Sequence, residues 1–500
     1  MSSIKKLAGQ TIWYGASTIF SRLLNVLLTP YLTHQFKGTT EYGKMSLVYS
    51  MIPFLYTLTM FGFETAYFRY IQKKEHEKDV YNTILTSLII STSVITAITI
   101  YFRQGIASFI GIEQHPEYII ISGFIVAIDT ISTIPFAKLR HEGKPKKYAF
   151  IRITGIILNI TVTFFFLSLF PSIYKKHPDS ILLFFYSAGF GVGYVLIGNL
   201  AQSLFQLIVL AKELLAFRWE LNKKLWKEIV IYSLPLTIAG FGGIVNETFD
   251  RVMLKKWLPL SADAATIQVG IYSGCYKLSI LISLFIQAFR MGAEPFFFKQ
   301  SLQEDAPKTY ARVMKFFVIV ICVMFLIAAL YVNIWKVIII RDPKMWEGLK
   351  IVPILLFANM FLGIYYNLSI WYRLSHKTSA GAYITLTGAA ITLIINYLFI
   401  PHFGYMASAW ATFICYGSMM AISYKWGQKV YRIPYATKKL VAYMVIVALI
   451  YFTHHFLTQL WKNSLFSLAL ATIFTSMYIL FIMRIERKEF QRLPYIGKWV

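Results

Sequence analysis

The sequence predicts an all-α integral membrane protein with about fourteen transmembrane helices, two pseudo-symmetric sets of six plus two at the C-terminus. Three observations carry that prediction. The chain is 57% hydrophobic and 14% charged, with a mean hydropathy of +0.58, whereas a soluble domain carries roughly 25% charged residues. Apolar stretches long enough to cross about 30 Å of hydrocarbon recur along its whole length. Finally, the chain nearly repeats itself at a shift of roughly 230 residues.

The apolar stretches run over 10–34, 42–69, 81–102, 117–138, 148–170, 181–211, 229–258, 269–298, 312–333, 347–372, 379–400, 404–425, 438–456 and 464–483. Several exceed what a bilayer needs, so tilt or extension into water is expected. Their connections are short, and no stretch accommodates a separate soluble domain. The first span contains Arg22 and Asn25 and lacks a small-residue cleavage site, so it reads as retained rather than as a cleaved leader.

The repeat organises these spans. Phe20-Ser21-Arg22 with Pro30 returns as Phe249-Asp250-Arg251 with Pro259. Gly43, Ser46 and Tyr49 return as Gly270, Ser273 and Tyr276. Gly62, Glu64, Phe68 and Arg69 return as Gly292, Glu294, Phe298 and Lys299, and Thr154-Gly155 returns as Thr387-Gly388. The implied division is an N-lobe over 1–215 (spans one to six) and a C-lobe over 216–430 (spans seven to twelve). Residues 431–500 then form an accessory pair with a cytoplasmic tail. Six helices is an even number, so both halves enter from the same side and the repeat is parallel.

The net charge is +26. A basic domain for nucleic acid would gather its Lys and Arg in one place. Here they alternate with the apolar segments, dense in every second loop, as in Lys138, Arg140, Lys144, Lys146 and Lys147, then Arg218, Lys223, Lys224 and Lys227. The denser set of loops holds roughly 32 Lys and Arg against roughly 12, and it includes both termini, which places both in the cytoplasm. The expected contact is anionic lipid, with no nucleic acid. Cys275, Cys322 and Cys415 lie far apart within apolar runs and read as packing residues. No His or Cys spacing suggests a metal, and His454-His455 read as interfacial.

Charge inside the spans is the functional signal. A charged side chain at mid-membrane costs about 2.5–3.5 kcal/mol on insertion scales, so it must face protein or a hydrated cavity. Arg22 lies near the middle of span one and Asp129 in the middle of span four; Arg152 opens span five. Span seven ends in Glu247, Asp250, Arg251, Lys255 and Lys256, and span eight carries Lys277, Arg290 and Glu294. Arg290 and Glu294 are i,i+4 neighbours that partly neutralise each other. The substrate-binding candidates are the cations Arg22, Arg251, Lys277 and Arg290. A cationic, hydrated cavity suits an anion, and guanidinium groups give bidentate contacts to phosphate oxygens. Coupling or gating candidates are Glu64, Arg69, Asp129, Glu247, Asp250, Glu294 and Lys299. Two like halves with charge buried in both are the usual plan of a transporter. No catalytic residue, metal or organic cofactor is expected; protons or sodium ions are the candidate coupling ions, with the membrane potential alone as the alternative.

The chain resembles the polysaccharide flippases, O-antigen type, of the multidrug/oligosaccharidyl-lipid/polysaccharide exporter superfamily. The residues behind this are the Arg-bearing span one with Leu-Leu-Thr-Pro at 27–30, Tyr42-Gly43, and Gly62-Phe63-Glu64 with Arg69. Pro135-Phe136-Ala137-Lys138-Leu139-Arg140 followed by Lys146-Lys147-Tyr148, the Asp250-Arg251 pair and Val269-Gly270-Ile271-Tyr272-Ser273 add to them. The resemblance implies two six-helix lobes around a central cavity and alternating access. It implies transport of an undecaprenyl-diphosphate-linked oligosaccharide, a repeat unit of O-antigen, capsule or exopolysaccharide, across the bacterial inner membrane. Polymerase and glycosyltransferase partners follow from the same likeness. The family's cavity cations in the first and eighth spans correspond to Arg22, Lys277 and Arg290. Related lipid II flippases carry more than one Arg in span one, whereas Arg22 stands alone here. The alternatives are a lipid II flippase or a multidrug/cation antiporter of the same superfamily. A site for organic cations should be acidic, whereas this one is net positive. A membrane glycosyltransferase or ligase would need a catalytic carboxylate motif or a large loop; the chain has no Asp-x-Asp and no long loop.

Overall fold

The computed structural model describes Phe20, Leu24 and residues 27–36, 40–71, 77–177, 184, 186–187, 189–301, 303–375 and 377–491. The side chains at 77, 78, 291, 292, 294, 295, 298, 299 and 378 are not part of that description. Arg22, Asn25 and Arg492 therefore lie outside the described residues, as do the side chains of Glu294 and Lys299.

Among the described residues all regular structure is helical. The principal helices of the first half are α1 (Thr40–Met60), α2 (Phe63–Tyr70), α3 (Glu77–Tyr101), α4 (Pro116–His141), α5 (Pro145–Phe164) and α6 (Gly193–Val209). They continue as α7 (Lys223–Thr248), α8 (Asp250–Trp257), α9 (Ala262–Tyr276), α10 (Ile280–Gln300), α11 (Ala306–Leu330), α12 (Val352–Leu368) and α13 (Ile370–Leu374). The last are α14 (Thr378–Phe403), α15 (Tyr405–Val430), α16 (Thr437–Leu460), α17 (Ser464–Ile485) and α18 (Arg487–Phe490).

Eleven helical segments among the described residues are long and apolar enough to cross a membrane. The chain is a multi-pass membrane protein. Of the other three sequence-predicted spans, the first lies mostly outside the described residues, and the sixth is the shorter apolar helix α6. The twelfth is α15, 26 residues long, whose Ser, Tyr and Trp residues dilute its hydropathy.

Local chemistry sets the ends of these helices. Pro116 and Pro145 open α4 and α5, where a missing N–H costs nothing. Asn222 caps α7 by accepting from the Leu225 N–H at 3.2 Å, and Asn463 caps α17 by accepting from Leu465 N–H at 2.8 Å. Span two breaks between α1 and α2, where Phe61 and Gly62 both take positive φ (47° and 68°). Span eight breaks elsewhere, at a 3₁₀ turn over Lys277–Ser279 between α9 and α10.

The chain divides into two compact units. The first comprises the described residues up to Gly274 with Asp342–Met345 and Thr385–Ser408; the second is Cys275–Arg341, Trp346–Ile384 and Ala409 onward. In the first unit α5 packs along α6, and α4 along α3 and α6. Its core gathers Met60, Phe63, Tyr67, Tyr81, Ile84 and Leu88 from α1–α3 with Ile134 of α4 and Ile229 of α7. In the second unit α11 is central, packing against α12, α16 and α17. The C-terminal pair α16 and α17 thus belongs to the packed body of that unit. His454 is buried, its Nε2 3.1 Å from the Ser467 carbonyl.

Candidate functional site

At the end of span seven, α7 and α8 meet at Phe249, and this turn buries Asp250 to 1% exposure. One Asp250 oxygen pairs with the Arg251 guanidinium at 2.8 Å, and the other accepts from the Tyr272 hydroxyl at 2.5 Å. Arg251 also donates to the Glu247 carbonyl at 2.7 Å and lies 5.5 Å from the Tyr272 ring centre. A buried carboxylate is tolerable only with such partners. Asp250 therefore fixes Arg251 against the α9 tyrosine, while the Glu247 side chain is exposed. Lys255, one turn on, donates to the Thr266 hydroxyl at 2.6 Å and ties α8 to α9.

Elsewhere in the first unit, Glu64 at the start of α2 is ion-paired with Arg140 at the end of α4. The Arg140 guanidinium also covers the Phe68 ring at 4.7 Å. Arg69 stacks at 4.2 Å over Tyr232 of α7. Asp129 accepts from the Ser203 hydroxyl of α6 at 2.7 Å. It sits within a polar seam of that unit. Asn159 there donates to Asn199 and Gln202, at 3.1 and 3.2 Å, and Asn199 donates to the Tyr49 hydroxyl.

The second unit holds Lys277 and Arg290. Lys277 begins the 3₁₀ turn that interrupts span eight, a type of break that often marks a hinge. Arg290 lies midway along α10, its guanidinium 4.3 Å above the Tyr366 ring of α12. Beside it a narrow recess of about 10 Å³, room for roughly one water molecule, is lined by Arg290, Phe297, Tyr366, Asn367, Ile370 and Arg373, among others. Asn367 is 4% exposed, and its Nδ2 has no acceptor among the described residues. A buried donor left this way costs about 1–3 kcal/mol.

The sequence candidates thus fall into separate places. Asp250 and Arg251 meet; Glu64, Arg69 and Asp129 each engage a different partner within the first unit. Arg22 and the side chains of Glu294 and Lys299 lie outside the described residues. Sequence reasoning missed Tyr272, Asn367 and Arg373. Arg373 lies one residue beyond the sequence-read end of span ten. Arg140 was read for its loop position, not as the partner of Glu64. Among the described residues no three His, Cys, Asp or Glu side chains group as metal ligands.

A protein-family model described as "Polysaccharide biosynthesis protein" matches residues 7–301, more than half of the chain. The chain belongs to that family. Its fold matches that of a lipid II flippase, MurJ, in an inward closed conformation, with a TM-score of 0.68 at 14% identity over 95% of this chain and 99% of that one. It also matches an inward-facing multidrug resistance MATE family transporter of the MOP superfamily, with a TM-score of 0.60 at 13% identity over 85% and 95%. A mutant of the Vibrio cholerae MATE transporter VcmN gives 0.58 at 13% identity over 86% and 98%. No curated protein sequence matches the chain. This polysaccharide biosynthesis family member therefore has the exporter-superfamily fold that its repeat and motifs predict.

Proposed function

We propose that this protein is a flippase rather than an enzyme. It carries an undecaprenyl-diphosphate-linked oligosaccharide from the cytoplasmic to the outer leaflet of the bacterial inner membrane by alternating access. The observation that carries the reading is the family membership of a chain built from membrane spans, one of which, Ala262–Arg290, carries Lys277 near its middle and the Arg290 guanidinium at its end. A polysaccharide precursor is made on a lipid diphosphate, and a diphosphate needs cations where water is scarce. Arg22, Lys277 and Arg290 supply charge to it, and Arg251 adds its own, tempered by Asp250. Alternating access works between an N-lobe over 1–215 and a C-lobe over 216–430, with both termini in the cytoplasm. The transporter hands its cargo to a polymerase, after glycosyltransferases have built it. Protons or sodium ions acting at Asp129, or the membrane potential alone, supply the energy.

The ion pair of Glu64 with Arg140 favours a local role for Glu64 over a gate formed with Glu294, Arg69 and Lys299. A second reading, a lipid II flippase, is favoured by the fold match to MurJ. The candidate cations Arg22, Arg251, Lys277 and Arg290 disfavour an antiporter of organic cations.

The test is accumulation of unexported lipid-linked oligosaccharide in cells. Arg22→Ala and Arg290→Ala should abolish export while the protein remains inserted and abundant. Arg22→Lys should retain part of it, because charge survives and the bidentate fork does not. Export at the wild-type level by both alanine variants would refute the reading, and accumulation of the peptidoglycan precursor instead would favour the second one.

A further inference from the structure

The segment that joins α6 to α7 carries a patch that the proposed function leaves unused. Its inner side is fastened to the first unit. Glu213 is buried, with both carboxylate oxygens 2.8 Å from the Lys147 Nζ, and its carbonyl accepts from the Tyr81 hydroxyl at 2.7 Å. Asn82 of α3 donates to the Glu220 carboxylate at 2.9 Å and accepts from the Arg218 N–H at 3.1 Å. Thr86 donates to the Glu220 carbonyl at 3.2 Å, and Leu214, Phe217 and Leu225 pack on the core of that unit. With the inner side held in this way, the outer side presents Leu215 (85% exposed), Trp219 (68%), Leu221 and Trp226. Exposed Lys212, Arg218, Lys223, Lys224 and Lys227 are interleaved with them. Glu213 and Glu220 are engaged by inward partners, so the outer side is cationic as well as apolar.

The start of α7 tells what this surface faces. Ile231, Leu234 and Ile238 are exposed at helical spacings of three and four, the lipid-facing stripe of a membrane span. Lys227 and Lys223, both exposed, continue the same stripe one and two turns earlier. At 1.5 Å per residue they lie about 6 and 12 Å beyond Ile231 along the helix axis. Where Ile231 meets the edge of the hydrocarbon, Lys227 is therefore in the headgroup layer and Lys223 at its rim. Trp226 is beside them, and indole favours that boundary. We infer that residues 211–228 form a strap, fixed to the first unit, that docks on anionic lipid headgroups and responds to the surface charge of the membrane. The apolar side chains enter the boundary between headgroups and acyl chains, and the cations meet the lipid phosphates. An excess of Lys and Arg that only oriented the chain would not require exposed Trp and Leu among them. A soluble protein partner is disfavoured because the cationic stripe runs directly into the lipid-facing side of α7. The inference does not depend on what the protein carries.

The test uses the full-length protein in nanodiscs of phosphatidylcholine, alone or mixed with phosphatidylglycerol. An environment-sensitive fluorophore is attached at Leu215→Cys or, separately, at Trp219→Cys, after replacement of Cys275, Cys322 and Cys415. At either position the label should move into a more apolar environment as the phosphatidylglycerol fraction rises, and about 0.5 M salt should reverse the change. In the anionic discs Lys223→Gln with Lys227→Gln should lower the ratio of docked to undocked strap about thirtyfold. Lys223→Arg with Lys227→Arg should keep it, because the charge is what the lipid meets. Thermal unfolding in neutral discs is recorded for each variant, and unchanged midpoints separate lost docking from lost folding. A label shielded equally in neutral and anionic discs would overturn the response to charge. A label open to water in both would overturn docking on lipid, and its shielding in native membranes alone would assign the surface to a protein partner instead. A wild-type response from the glutamine pair would overturn the part given to the α7 stripe.

Discussion

Glu486 offers the sharpest energetic test in the molecule. It follows α17 directly, is 3% exposed, and receives three hydrogen bonds. The donors are Lys315 of α11 at 2.7 Å, Lys439 of α16 at 2.9 Å and the Tyr443 hydroxyl of α16 at 2.7 Å. Burial alone would raise its pKa. The hydrogen bonds from Lys315, Tyr443 and Lys439 outweigh that and pull it down from 4.5 to about 2. A carboxyl held so far down in the fold contributes about 3 kcal/mol once ionised. The sign is that of a depressed acid. The stabilisation is complete above pH 4.5 and is lost as pH falls towards 2.

Replacing Glu486 by Gln removes that contribution and faces Lys315, only 12% exposed, with an uncharged amide. Loss of about 3 kcal/mol is expected, since breaking a buried pair exposes the cost of the orphaned partner. Lys439 is 53% exposed, so Lys439→Ala should cost less than about 1 kcal/mol. Lys315→Ala should fall near the Gln variant, although Lys315 also reaches Glu489 at 3.4 Å. Denaturant unfolding in detergent, repeated between pH 3 and pH 7, measures all three. Equal stability of Glu486→Gln and the wild type at pH 7, or equal losses at Lys439 and Lys315, would refute the reasoning.

Reporter fusions after Arg432 and at the C-terminus should both report cytoplasm, and a periplasmic signal at either would remove the proposed topology. Gly43→Ala should destabilise the first unit by about 1–3 kcal/mol. A Cβ there overlaps the Thr266 carbonyl oxygen and lies 2.9 Å from its Cγ2, which a rotamer change cannot relieve; unchanged thermal stability would contradict this. Cysteines at 64 and 294, in a protein lacking Cys275, Cys322 and Cys415, should fail to crosslink if Glu64 serves Arg140 alone. Crosslinking that weakens when substrate is present would restore the gate.

The helical membrane architecture was legible because length, apolarity and loop charge act at the scale of whole segments. The repeat was legible because Gly, Pro and charged residues are rare enough inside spans for their coincidence to stand out. The break at Phe61-Gly62 had a glycine to mark it. The 3₁₀ turn at Lys277–Ser279 had no proline or glycine within it to mark it. Side-chain partnerships were the least legible. Asp250 with Arg251 is adjacent in sequence and was visible as a cluster, but Tyr272 closes it from another helix. Glu64 and Arg140 are 76 residues apart. Asn367 sits in an apolar run where nothing distinguishes a satisfied amide from an unsatisfied one.

The two breaks also bear on how the duplicated halves have diverged. Span two bends near its C-terminal end, at 61–62, whereas its counterpart α10 runs unbroken through 291–292. Span eight instead tightens early into a 3₁₀ turn, at 277–279, where the matching stretch of α1 is continuous α-helix. The copies have kept their polar landmarks and moved their joints. Grafting span eight in place of span two would therefore import a 3₁₀ turn at the wrong height, and the side chains beyond it would be rotated out of phase. Sequence symmetry between the halves marks common descent here, and it does not make the parts exchangeable.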